Sequence, residues 1–329
     1  MKALVYTAPV TLEYREEPDP VPAAGEALVR IDAVGICGSD MHAWHGHDPR
    51  RVPPLILGHE AAGEVVSGSG IGRRVTMNPL IICGRCVYCL TGRSNLCENR
   101  TMIGMTRPGA YAQFVSIPEH CLVDLPADMN PSDAALTEPT ATAWHAVDLA
   151  ERACRRSLAE CDALVIGGGA VGLLTALVLR ARGIRTLVLA ETNPLRRATA
   201  QDERIHCFDP TEAAPEERLA DVVFDCVGSA RTRQLAIHAA RPGGVVVHIG
   251  LQDSSGELDV RKITLSELSF LGVYTYTTAD LRASADALYR GVLGDLKWIE
   301  RRPLDEGPAA FQDLDAGRSA AAKIVLLPQ

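Results

Sequence analysis

Residues 163–183, ALVIGGGAVGLLTALVLRARG, set a short apolar run against a longer one across a turn with glycines at 167, 169 and 172. The first run has the length of a buried strand, and the second, closed by Gly183, that of a helix. A strand passing through G-x-G-x-x-G straight into a helix admits few folds. Gly167 permits the tight turn, Gly169 lets a pyrophosphate approach the backbone, and Gly172 lets helix lie against strand. The N–H groups at the helix start, through Ala170 and Val171, then face the anion. Three further apolar runs, TLVLAE (186–191), DVVFDCVG (221–228) and GGVVVHIGL (243–251), are separated by helical stretches. Continuous apolar strands alternating with helices predict an α/β fold with a parallel sheet covered on both faces.

An acid at the end of the second strand completes this pattern. Glu191 stands 19 residues after Gly172, where a carboxylate accepts hydrogen bonds from an adenosine ribose. It would repel a 2'-phosphate, so NAD rather than NADP is expected. Arg196 and Arg197, early in the helix after Pro194, are read as a solvated face; an arginine at such a point is also able to accept that phosphate.

The N-terminal third has a different texture. KALVYT, EALVRIDAVGI, GEVV and AQFVSI are short β-rich runs punctuated by proline and glycine. In ICGRCVYCLTGRSNLC (82–97), Cys83, Cys86, Cys89 and Cys97 follow the spacing C-x2-C-x2-C-x7-C. The opening MKALVYTAPVTLEY lacks a basic and apolar leader, so a reducing, cytoplasmic setting is expected and disulfides are not. Thiols spaced this way among glycines and arginines suit a structural zinc, a closed site that stiffens a loop and performs no chemistry. Cys121, Cys154, Cys161, Cys207 and Cys226 lack ligand spacing and are read as free thiols.

At 329 residues the chain is long enough for two domains. A net charge of −8 opposes a nucleic-acid partner, and no apolar run approaches the roughly 20 residues of a membrane span.

Two more segments carry possible chemistry, GICGSDMHAWHGH (35–47) and ILGHEAAGEVV (56–66). Cys37, His59 and Glu60 offer a thiolate, an imidazole and a carboxylate, the ligand kinds of a catalytic zinc that keeps a position open. Glu138, in LTEPTATAW, adds a second carboxylate.

With CGSD at 37–40, GHEAAG at 58–63, the four-cysteine segment, Glu138-Pro139, GGGAVG at 167–172 and Glu191 in this order, the chain resembles the zinc-dependent medium-chain alcohol dehydrogenase family over essentially its whole length. The resemblance implies a GroES-like β-rich catalytic domain over residues 1–139 and a Rossmann domain over 140–280. Residues 281–329 would return to the catalytic domain, with the active site in the cleft. It implies zinc ligation by Cys37 and His59, with Glu60 or Glu138 as a further ligand, and leaves the choice between them open. Asp40 would orient the zinc histidine, Ser39 would take the alcohol's proton and His42 would pass it on. Trp44 would wall the substrate pocket, and Val227, Gly228, Ile249, Gly250 and Val273 would lie beside NAD.

Glu-Pro at 138–139 and Gly38, where the simple-alcohol branch carries a basic residue, are similar to the polyol branch. The expected activity is oxidation of a polyol, cyclitol or sugar-derived secondary alcohol by a homodimer or homotetramer. The alternatives are a threonine 3-dehydrogenase and a non-catalytic, zinc-stabilised nucleotide-binding protein. A shortened stretch between Gly63 and Val75 is expected to be a trimmed turn.

Overall fold

The strand Glu26–Gly35 organises the first of two compact units. Alternate residues Ala27, Val29, Ile31 and Ala33 are buried, as the two-residue repeat of a strand requires. The computed structural model describes residues 1–213 and 215–328. Ala214 and Gln329, within the spans expected for the Rossmann and returning segments, lie outside the described residues. The first unit comprises Met1–Ala141, Thr277–Arg318 and Lys323–Gln329, and the second Thr142–Tyr276 with Ser319–Ala322. Residues 142–276 therefore form a slightly narrower block than the 140–280 read from sequence. The chain enters the second unit within a continuous helix, Thr137–Ala153, where the residue pattern marks no break.

In the first unit, Glu26–Gly35 pairs antiparallel with Glu60–Ser67, Phe114–Pro118 and Lys323–Leu327. Its core includes Leu4, Val29, Met77, Tyr111, Phe311 and Ile324. The register sets Gly35 opposite both Glu60 and Val325, which brings residues near the two chain ends to one place on the sheet. A Cβ on Gly35 would lie 2.1 Å from Glu60 Oε2, so a side chain there would displace the carboxylate. The segment between Glu60–Ser67 and Arg74–Met77 is a short turn, pinned where the Ser69 N–H donates to Glu119 Oε1.

The second unit is built on a six-stranded parallel sheet of Asp162–Ile166, Thr186–Ala190, His206–Phe208, Ala220–Asp225, Ala240–His248 and Ser269–Gly272. Counted along the chain, they lie side by side as third, second, first, fourth, fifth and sixth, the doubly wound order that reverses between first and fourth strands. The helices start where their caps predict. Asn193 caps the one beginning at Pro194, and Ser229 and Thr232 form a capping box before Ala230–Ala239. Ala170–Ala181, rich in alanine and leucine, has Gly169 as N-cap and no capping side chain. Among the described residues no helix is long and apolar enough to cross a membrane.

Candidate active site

Cys37 is the N-cap of the helix Gly38–Trp44, and His59 and Glu60 lie where the chain enters the strand Glu60–Ser67. Although Cys37 and His59 are 22 positions apart in the chain, one ligand atom from each of Cys37, His59 and Glu60 falls within 4.8 Å of the others. Asp40 stands behind His59, with its Oδ1 3.4 Å from Nδ1, and neither atom has a hydrogen-bond partner elsewhere. Asp40 Oδ2 accepts from the Tyr111 hydroxyl at 2.7 Å and from the Cys37 N–H at 3.2 Å. Burial opposes ionisation of Asp40, yet His59, Arg51 and Tyr111 together hold its carboxyl well below the usual range. Burial likewise disfavours a charged His59, but Asp40 and Cys37 outweigh it and raise its pKa well above the ordinary value. A histidine with Nδ1 turned to a buried carboxylate keeps its other ring nitrogen for an ion, and the thiolate, imidazole and carboxylate set suits zinc.

Glu60 is engaged as well. Lys323 Nζ donates to its two oxygens at 2.7 and 2.6 Å and to the Ile36 carbonyl at 2.8 Å. Burial lowers the pKa of this lysine, but Glu60 and Cys37 raise it further, so the ammonium stays charged. Glu138 is buried in the first turn of Thr137–Ala153 and acts on the charge of Lys323. Its carboxylate is outside the convergent group formed by Cys37, His59 and Glu60.

Ser39 shares the helix with Asp40. Its Oγ accepts from Arg51 Nη2 at 3.1 Å, and Arg51 in turn donates to Asp48 at 2.7 Å and to the carbonyls of Gly104 and Ser39. His42 follows one turn later; burial and His47 lower its pKa. His42 and His47 meet edge to face at 5.3 Å, and His45 bonds Asp315 at 2.8 Å. Trp44, expected as a pocket wall, is buried and packs in the core edge to face with Phe311.

The four-cysteine segment folds into a short helix, Val87–Leu90, and a 3-10 turn, Ser94–Leu96, that bring all four sulfurs within 4.8 Å of one another. The Cys83 N–H donates to Cys97 Sγ at 3.4 Å. Backbone N–H groups of Arg85 and Cys86 bring the Cys83 thiol down to about 6, whereas desolvation and Cys86 push Cys89 up to about 12. Four sulfurs this close become thiolates together only beside a cation, so the donor set fits a tetrahedral zinc. By contrast burial, helped by Glu26 and Glu191 against nearby arginines, pushes Cys121 up to about 12 and Cys207 to about 11, the behaviour of inert thiols.

In the second unit the glycine turn closes as its residues dictate. Gly167 has φ +97°, and a Cβ on Gly172 would lie 1.8 Å from the Gly167 carbonyl. At Gly169 a Cβ would meet nothing within 4 Å, and the helix start has no capping side chain, an arrangement that suits an anion. Glu191 Oε2 accepts from the Gly168 N–H at 2.6 Å and Oε1 from the Asn193 N–H at 2.7 Å, which hold the carboxylate beside the turn. The arginines are not the solvated face read from sequence. Arg197 Nη1 bonds the carbonyls of Glu191 and Thr192 and the Asp209 carboxylate, and Arg196 has a buried Nε without a partner. Val227 and Gly228 follow the fourth strand, Ile249 and Gly250 the fifth and Val273 the sixth, all at the same carboxyl edge of the sheet.

Arg51, Asp48, Tyr111 and Lys323 escape a reading of the sequence. For Lys323 the signal exists, since a lysine within the apolar run KIVLL needs a buried partner. Arg51, in PRRVPP, looks like any loop arginine.

The profile of the alcohol dehydrogenase GroES-like domain matches residues 23–127, and that of the zinc-binding dehydrogenase domain residues 170–290. L-galactonate-5-dehydrogenase of Escherichia coli K12 is 32% identical over 320 aligned positions, covering 92% of each chain. L-threonine 3-dehydrogenase of Chelativorans sp. BNC1 is 33% identical over 346, covering 97% of each. A protein of Sinorhizobium meliloti 1021, described as a zinc-binding dehydrogenase bound to NADP, is similar in structure with a TM-score of 0.88 at 32% identity, covering 99% of each chain.

Proposed function

This chain belongs to the zinc-containing medium-chain alcohol dehydrogenase family, and from that premise we propose that it oxidises a polyol, cyclitol or sugar-derived secondary alcohol to the ketone, with NAD as acceptor. The observation that carries the reading is the convergence of Cys37, His59 and Glu60 within 4.8 Å, with Asp40 behind the imidazole.

Cys37 and His59 would hold the catalytic zinc, with a carboxylate from Glu60 or Glu138, and Cys83, Cys86, Cys89 and Cys97 the structural one. Zinc supplies Lewis-acid polarisation of the alcohol oxygen, and NAD supplies the ring carbon that accepts hydride. The protein's residues orient and move the proton. Asp40 fixes the tautomer of His59. Arg51 occupies one lone pair of Ser39 Oγ, which leaves the hydroxyl's hydrogen and its remaining lone pair for exchange with the substrate alcohol. His42, at the i+3 position of the same helix, lies on the same face as Ser39 and carries the proton towards water. Glu191 and the glycine turn would take the adenosine ribose and pyrophosphate. A homodimer or homotetramer in the cytoplasm completes the proposal.

A second reading, L-threonine oxidation, is favoured by the 33% identical relative that bears that name. NADP is the alternative cofactor, supported by the NADP-bound relative and by the unpaired Nε of Arg196. The test is NADH formation, followed by absorbance, over sugar alcohols, aldonates, cyclitols and threonine, with metal analysis alongside. The expected result is turnover of one of the first three classes, a higher kcat/KM with NAD than with NADP, and about two zinc per chain. Turnover of threonine alone would establish the second reading. One chelation-resistant zinc with no NADH from any alcohol would instead mark a non-catalytic nucleotide-binding protein.

A further inference from the structure

Asp225 is the last residue of the fourth strand of the parallel sheet and His248 the last of the fifth. Asp225 is fully buried, and its carboxylate gathers three donors. Oδ1 accepts from the Val227 N–H at 3.1 Å and the Gly228 N–H at 2.8 Å, and Oδ2 is 3.1 Å from His248 Nδ1. Its main-chain carbonyl accepts from Ile249 and Gly250 at 2.9 and 3.0 Å, and the His248 carbonyl accepts from Val273 at 3.0 Å. One aspartate and the histidine on it thus tie together the turns leaving three neighbouring strands.

These turns touch backbone to backbone. A Cβ on Gly228 would lie 2.0 Å from the Gly250 carbonyl oxygen, and one on Gly250 2.1 Å from the Val227 carbonyl carbon. The platform also abuts the glycine turn, since a Cβ on Gly167 would lie 2.6 Å from Val227 Cγ2. In a doubly wound sheet a dinucleotide crosses the carboxyl edge at the reversal of strand order. Here the glycine turn and Glu191 take the side of the first and second strands, which leaves the fourth and fifth to the other half of the ligand.

We propose that Asp225 and His248 are positioning residues for the nicotinamide half of the cofactor, fixing the platform at 227–228 and 249–250 on which it rests; this deepens the dinucleotide reading and depends on it. Asp225 acts through the backbone it holds. Nδ1 of His248 donates to the carboxylate, which sets the imidazole tautomer and keeps Asp225 aimed at both N–H groups.

The test compares NADH with AMP, which carries only the adenosine half, by fluorescence and calorimetric titration of the zinc-loaded protein. Asp225→Ala is expected to raise the Kd for NADH about tenfold, the loss of one or two charge-assisted hydrogen bonds, and to leave that for AMP within about twofold. His248→Leu, which keeps the apolar contact with Phe270, and Asp225→Asn, which keeps an acceptor oxygen, are expected to raise the NADH value about threefold. These two milder variants decide the matter if Asp225→Ala does not fold. Unchanged NADH affinity in them, or equal loss of NADH and AMP, would overturn the positioning role alone. A wild-type protein that binds neither nucleotide would overturn the dinucleotide reading together with it.

Discussion

Taking Glu60 and Lys323 out of water costs several kcal/mol per ion, and their contacts at 2.6 and 2.7 Å offset it. Lys323→Met would strand a buried carboxylate, so unfolding of the metal-free protein by urea should show a loss of about 3–5 kcal/mol. The double variant Lys323→Met/Glu60→Gln should recover most of it, because neither charge then remains. Zinc should also narrow the gap, since a cation beside Cys37 and His59 replaces the missing ammonium. Equal destabilisation of the single and double variants would show that the pair is not what holds Glu60. Residue types within short segments nominated Cys37, His59, Glu60 and Glu138 together, and the family resemblance then assigned Cys37 and His59 to zinc. Asp40 apart, the residues that engage this group were not legible in the same way. Arg51 and Lys323 are ordinary surface types whose roles exist only once they are enclosed.

At the scale of elements, the turn between the first strand and the helix Ala170–Ala181 separates packing from binding at two of its glycines. Gly172→Ala drives a methyl into the Gly167 carbonyl and should destabilise the protein by about 1–3 kcal/mol, read as a lower Tm. Gly169→Ala meets open space at φ −70° and should leave Tm within a degree or two while weakening NADH binding at least severalfold. A reversed pattern would mean that the cradle is not at the helix start. Both positions were readable in the sequence, because a turn and its adjoining helix depend on neighbours a few residues away. The cysteine segment was legible for the same reason. Arg197 was misread because Asp209, beyond the next strand, joins the Glu191 and Thr192 carbonyls around its guanidinium.

For the molecule as a whole, the two cysteine sites divide activity from folding. Cys37→Ala should abolish turnover and reduce bound zinc from about two per chain to about one, with the four-cysteine site still filled. Cys97→Ala should lower folding stability or assembly, since structural zinc contributes folding free energy directly. Metal analysis and thermal melts of both variants check this, and equal loss of both metals in each would contradict it. By itself the sequence determined the parallel sheet, the glycine turn, the four-thiol segment and the residue types of the metal group. Each of these is written in spacings of a few residues or in the repeat of a strand or helix. Tertiary structure alone decided that Lys323 meets Glu60, 263 positions away, that Arg51 closes on Ser39 and that Asp225 gathers three turns. The Lys323–Glu60 and Asp225–His248 contacts follow from strand register and order, and Arg51 reaches Ser39 from the loop after its helix; apart from the lysine in KIVLL, these contacts leave no local mark in the chain.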